Sequence, residues 1–114
     1  MQPSEIRIKD KGRILQLTFP SAGTFDLSAE YLRVESPSAE VQGHTASEKK
    51  TIGGKKDVTI TGAEPVGNYA LRLIFSDGHS SGIYPWTGFL DLAQRHDEIW
   101  DTYLRNLAEK GLSR

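Results

Sequence analysis

One five-residue pattern occurs twice in this chain, as Leu15-Gln16-Leu17-Thr18-Phe19 and as Leu71-Arg72-Leu73-Ile74-Phe75. After a turn of different length, the first copy leads to Phe25 with Tyr31-Leu32 and the second to Ile83 with Phe89-Leu90. Strict alternation puts the two leucines and the phenylalanine on one face of a strand, a face that must be buried. The chain therefore reads as two strand-turn-strand-helix units. Two copies are too few for a solenoid, so the expectation is a pair of similar hairpins packed in one sheet region. At 114 residues there is room for one core only, and 37% hydrophobic with 25% charged residues can build it. The expected architecture is a single α+β domain spanning residues 1–114, a mostly antiparallel sheet packed by a C-terminal amphipathic helix.

The remaining elements follow from local chemistry. Glu5 to Lys9 alternates, and Asp10-Lys11-Gly12 turns it into the first patterned strand. Thr24-Phe25-Asp26-Leu27 returns, with Ser28 placed to cap a short helix through Tyr31 and Leu32. Ser36 can cap another turn with Pro37 at its first position, Gly43 as its left-handed stop and His44 bonding its last carbonyls. Residues 45–57 hold one isolated isoleucine among polar and flexible residues and read as an exposed, mobile loop. Val58-Thr59-Ile60 restarts a strand and Pro65-Val66-Gly67-Asn68 turns it. Tyr69, Leu71, Leu73 and Phe75 then share one strand face. Asp77-Gly78 makes a tight hairpin, with a return strand from His79 to Tyr84. A helix near Trp86 precedes a longer one. In that last helix Ile99, Trp100, Tyr103, Leu104, Leu107 and Ala108 form a stripe, and acidic residues at its start suit the dipole.

Composition excludes a good deal of chemistry. The absence of cysteine removes disulfides, thiolate nucleophiles and cysteine-bound iron–sulfur or zinc centres. A net charge of -1 gives no field to attract a polyanion, which argues against a nucleic-acid partner. No apolar run approaches a membrane span and the N-terminal residues carry no leader pattern, so a cytoplasmic location is expected. Gly53-Gly54-Lys55-Lys56 lacks the first glycine and the hydroxyl residue of a phosphate loop. The lysines around it read as a solvated loop, and Trp86 and Trp100 as core anchors. No Gly-x-Ser-x-Gly elbow or placeable carboxylate pair suggests catalysis, so the chain is expected not to be an enzyme.

Five strings carry a resemblance: Glu64-Pro65-Val66-Gly67-Asn68-Tyr69-Ala70-Leu71-Arg72; Phe75-Ser76-Asp77-Gly78-His79; Gly82-Ile83-Tyr84-Pro85-Trp86; Leu32 to His44; and Trp100-Asp101-Thr102-Tyr103-Leu104. Through these the chain resembles the gamma-butyrobetaine hydroxylase-like N-terminal domain family, as a stand-alone member. In the carnitine-biosynthesis dioxygenases this domain precedes the catalytic one and holds zinc through three cysteines and a histidine. The resemblance matches that histidine to His79 and implies a lost zinc site, because no cysteine follows Leu32-Arg33. Family members fused to, or encoded beside, P-loop iron–sulfur carrier ATPases imply such an ATPase as a partner and an accessory role in cluster delivery.

Two functional readings result. The first is a non-catalytic binding or adaptor domain whose partner surface comprises Arg33, Glu40, Gln42, His44, Asp77 and His79, polar residues on loops beside a packed core. The second is an iron or zinc protein using His79 with His44 or a carboxylate such as Asp26 or Glu40 brought in by folding. With a two-residue hairpin loop, His79 is expected on the Arg72, Ile74, Ser81 and Ile83 side, opposite Leu71-Leu73-Phe75. His96 reads as ordinary surface.

Overall fold

Both patterned segments become the central strand of a three-stranded antiparallel sheet. In the first, β1 (Glu5–Lys9) pairs with β2 (Ile14–Phe19), which pairs with β3 (Gly23–Ser28); in the second, β4 (Ile60–Val66) pairs with β5 (Ala70–Phe75), which pairs with β6 (Ile83–Pro85). The helices are α1 (Ala29–Val34), α2 (Ala39–Gln42), α3 (Trp86–Gln94) and α4 (His96–Glu109). This is a computed structural model, and it describes residues 2–43 and 49–114. The α+β class and the two units are as the pattern requires, although each unit forms its own three-stranded sheet rather than sharing one sheet region.

Leu15, Leu17 and Phe19 of β2 and Leu71, Leu73 and Phe75 of β5 are all buried and belong to one hydrophobic cluster. Ala29, Tyr31 and Leu32 of α1 and Trp86 and Phe89 of α3 join it. Burying such side chains contributes about 1.5–3 kcal/mol each, the term that offsets the ordering of the chain. The units approach closely at the 3₁₀ turn Asp10–Gly12. Gly12 has φ 91°, and a Cβ there would sit 2.5 Å from the Ile60 carbonyl oxygen, so no other residue fits. The expected cap is present: the Tyr31 N–H donates to Ser28 Oγ at 3.0 Å.

Several expectations are corrected. Ser38, not Ser36, caps the second short helix, accepting from the Glu40 N–H at 3.2 Å, and Pro37 lies before the helix. Gly43 does end it, at φ 68°. Strand β4 runs through Pro65 to Val66, so the turn begins at Gly67 and takes Tyr69 with it, leaving that ring exposed rather than on the Leu71-Leu73-Phe75 face.

Of the loop expected over residues 45–57, the described part is irregular yet anchored. Ile52 packs with Val34, Tyr103 and Leu107, and Tyr103 donates its hydroxyl to the Ile52 carbonyl at 2.6 Å. Burial first, and the Glu30 carboxylate second, push the Tyr103 phenol up to about 12. In α4 the buried stripe is narrower than expected. Tyr103 and Leu107 are buried and Ile99 and Trp100 half-buried, whereas Leu104 and Ala108 face out. No helix of the described residues is long and apolar enough to cross a membrane.

Candidate functional site

The residues singled out for function meet where the segment between α1 and α2 lies against the β5–β6 turn. What brings them together is a slip in the hairpin. Leu71 stands opposite Tyr84 and Arg72 opposite Ile83, the register a two-residue loop would give. Nearer the turn, however, the Phe75 N–H donates to the His79 carbonyl at 2.9 Å, and the Gly78 N–H to the Phe75 carbonyl at 3.0 Å. The loop is thus Ser76-Asp77-Gly78, and residues 80–83 span what residues 72–74 span on β5. One extra residue on the return side moves the side chains before it to the other face. His79 is accordingly not beside Arg72 and Ile74. It lies on the core side with its ring 6.0 Å from that of Phe75, and it is buried.

Asp77 fixes this turn with both carboxylate oxygens. Oδ1 accepts from the His79 N–H at 3.0 Å, and Oδ2 accepts from Arg33 Nε at 2.8 Å and pairs with Lys55 Nζ at 2.7 Å. Burial alone would raise the Asp77 pKa, but the bonds from Lys55, the His79 N–H and Arg33 together outweigh it and hold the carboxyl well below the usual carboxylate range. Arg33 itself is buried, and its Nη1 has no hydrogen-bond partner among the described residues.

The His79 ring is held from both sides. Nε2 is 2.9 Å from Ser36 Oγ and Nδ1 is 3.2 Å from Glu40 Oε2. Burial first, and the Arg33 charge second, lower its pKa, against the opposing pull of Glu40 and Asp77. The imidazole is therefore neutral at neutral pH. The network assigns the proton to Nδ1, facing the carboxylate, so Nε2 accepts from the Ser36 hydroxyl. That hydroxyl in turn accepts from the Ser38 N–H at 3.3 Å. Glu40 Oε1 accepts from Ser81 Oγ at 3.1 Å, and Ser81 Oγ is 2.8 Å from Ser38 Oγ. Gln42 donates its amide to the Ser36 carbonyl at 2.8 Å.

A hydroxyl, an imidazole and a carboxylate in line have the order of a nucleophile relay. Ser36 is nevertheless 0% exposed, and its Oγ lies only 2.5 Å from where a Cβ on Gly82 would be. No substrate carbonyl fits that space, so what the arrangement does is hold two segments together. An accessible cleft of about 530 Å³ lies between the α1–α2 side and helices α3 and α4. Its rim carries the Lys49–Glu35 pair, 2.5 Å apart, and Arg95 bound to Asp91 and Glu98.

Of the residues named from sequence, Arg33, Glu40, Gln42, Asp77 and His79 converge here, while His44 lies outside the described residues. Asp26 does not join them; it accepts from Gln16 on the other sheet at 2.9 Å. Sequence reasoning missed Ser36, Ser38 and Ser81 as partners of this network, and Lys55, which it assigned to solvent. The Ser-Pro-Ser string was a local signal for the first two; Lys55 had none. The donor set does not fit a cysteine-bound zinc. The sequence has no thiol, His79 has both nitrogens committed, and among the described residues no group of three His, Cys, Asp or Glu could hold a metal.

Comparison with known proteins places the chain in a family. The family model described as gamma-butyrobetaine hydroxylase-like, N-terminal, matches residues 6–89. Two proteins solved in solution by NMR are similar over 99% of this chain, one at 45% identity over 89% of its own length and one at 42% over 84%, each with a TM-score of 0.84. A crystal structure from Acidithiobacillus ferrooxidans, described as a protein with unknown function of the DUF971 family, is 36% identical. It covers 81% of this chain and 92% of its own, with a TM-score of 0.67. No curated protein matches the chain.

Proposed function

The chain belongs to the gamma-butyrobetaine hydroxylase-like N-terminal family, and on that footing we propose that it is a non-catalytic binding or adaptor domain of the cytoplasm, a single unit that serves a P-loop iron–sulfur carrier ATPase. Glu40 carries this reading. Its side chain is 69% exposed, yet one carboxylate oxygen is fixed by His79 and the other by Ser81. An exposed anion already held in one conformation loses little entropy when it docks, so it is a pre-organised anchor for an arginine or lysine of a partner. Gln42 and the Asp77 turn flank it with further polar contacts.

The test is capture from cells that express both proteins. The wild-type chain should recover the carrier ATPase, and Glu40→Lys should recover about tenfold less, the scale of removing one anchoring charge pair. Equal recovery by the variant would move the surface elsewhere. Recovery of no carrier ATPase by the wild type would defeat the proposal.

A further inference from the structure

We infer that a hydrogen-bonded clamp, His79 with Ser36 and Glu40 and Asp77 with Arg33 and Lys55, does in this chain the work of a metal, fastening the α1–α2 segment to the β5–β6 turn so that the domain folds metal-free. The inference goes beyond the adaptor reading, since a domain can bind its partner with or without a metal holding it together.

Both pieces that meet here are weak by themselves. Helix α2 has four residues, too few to form a helix unaided. Strand β6 has three residues, and residues 79–82 before it lie outside the regular ladder. A metal centre would supply folding free energy at such a joint outright, and it would need deprotonated ligands with open lone pairs. None is open on His79, because a cation at Nε2 would displace a fully buried hydroxyl and one at Nδ1 would displace the Glu40 bond. Around Asp77 the carboxylate is already neutralised by two cations, Arg33 and Lys55, at 2.8 and 2.7 Å. A divalent ion entering there would meet like charge. Gly82 belongs to the clamp for a steric reason, since any side chain would displace the Ser36 hydroxyl. The side-chain contacts that cross the joint are thus made between protein groups whose sequence positions are far apart.

The experiment uses untagged protein and measures metal content together with the thermal midpoint in chelator, zinc and ferrous iron. A ligand that binds only the folded state must raise Tm by mass action, so the clamp predicts midpoints within about 1 °C of each other. Ser36→Ala and His79→Gln should each lower Tm by about 5–10 °C. Groups acting through one bond are non-additive, so the double variant should fall by clearly less than the sum. Stoichiometric zinc or iron that is lost in His79→Gln overturns the inference. So does a metal-induced rise of several degrees, or strict additivity of the two substitutions. Should His79→Gln fail to fold, Glu40→Gln, at an exposed position, gives a cycle with Ser36→Ala across the same imidazole, since each residue bonds one of its nitrogens. Partner capture decides none of these outcomes, so this inference and the adaptor reading fail separately.

Discussion

The two sheet units are built on one plan and differ most in the strand that returns from the central one. Each has a central strand burying Leu-x-Leu-x-Phe, and in each the third strand passes directly into a helix, Ser28 into Ala29 and Pro85 into Trp86. In the first unit the return strand is regular throughout, pairing Phe19 with Gly23 and continuing to Ile14 with Ser28. Its outward residues make ordinary cross-strand contacts, Thr18 with Thr24 at 3.0 Å and Gln16 with Asp26 at 2.9 Å. In the second unit the ladder covers only three residue pairs before residues 79–82 leave it. Of these, His79 and Ser81 bond the segment from Ser36 to Glu40, while Asp77 in the turn before them bonds Arg33 of α1. The repeated pattern makes the scaffold, and the candidate site arises where one copy departs from it.

If the scaffold is shared equally, large-to-small substitutions at matching positions should cost the same. Leu17 and Leu73 are each 0% exposed in the central strand of their sheet. Replacing either by alanine should destabilise the protein by about 2–5 kcal/mol, from lost transfer energy plus the cavity left behind. Urea unfolding of the two variants is the measurement. A cost below about 1 kcal/mol at one position and full cost at the other would show that only one sheet carries the core.

The same departure explains what could be read in advance. The alternation exposed both central strands, Ser28 announced its helix, and Asp77-Gly78 announced a turn, because each rests on residues adjacent in sequence. Period-two reasoning then assigned His79 to the wrong face, since it assumes an unbroken register and a bulge reverses it. Tyr69 was misassigned for a related reason, as the strand before it ran further than Pro65 suggested and pushed it into the turn. Ser36 looks as good a cap as Ser38, and only its contact with His79 and the nearness of Gly82 distinguish the two. The pairing of Lys55 with Asp77 and the seat of Ile52 on Tyr103 are purely tertiary. Glu40 was named among several residues, and folding alone selected it over Asp26.

A second test acts on the departure itself. Gly82→Ala places a Cβ 2.5 Å from Ser36 Oγ and 3.1 Å from Cε1 of the buried Tyr84 ring. Overpacking a site of this kind costs about 1–3 kcal/mol, because neither neighbour is a flexible chain end. Thr24→Ala, on the regular strand of the first unit, removes an exposed contact and should stay within about 0.5 kcal/mol. Equal effects in chemical denaturation would mean that the interrupted hairpin is no more constrained than the regular one.

The smallest effect expected is a pH dependence belonging to the second unit alone. Burial and the Arg33 charge lower the His79 pKa in the folded protein, so the unfolded chain takes up the proton first as pH falls. Where the unfolded state binds more protons, stability rises with pH. The contribution of neutral His79 is therefore fully present above about pH 6.5, the ordinary histidine value, and declines below it. Urea midpoints measured from pH 7.5 to pH 5 should fall shallowly in the wild type, and the fall should be weaker in His79→Gln. Thr24→Ala, which leaves the clamp untouched, should keep the wild-type slope. An unchanged slope in His79→Gln would mean that the imidazole titrates alike folded and unfolded, which its committed ring nitrogens and buried position do not permit.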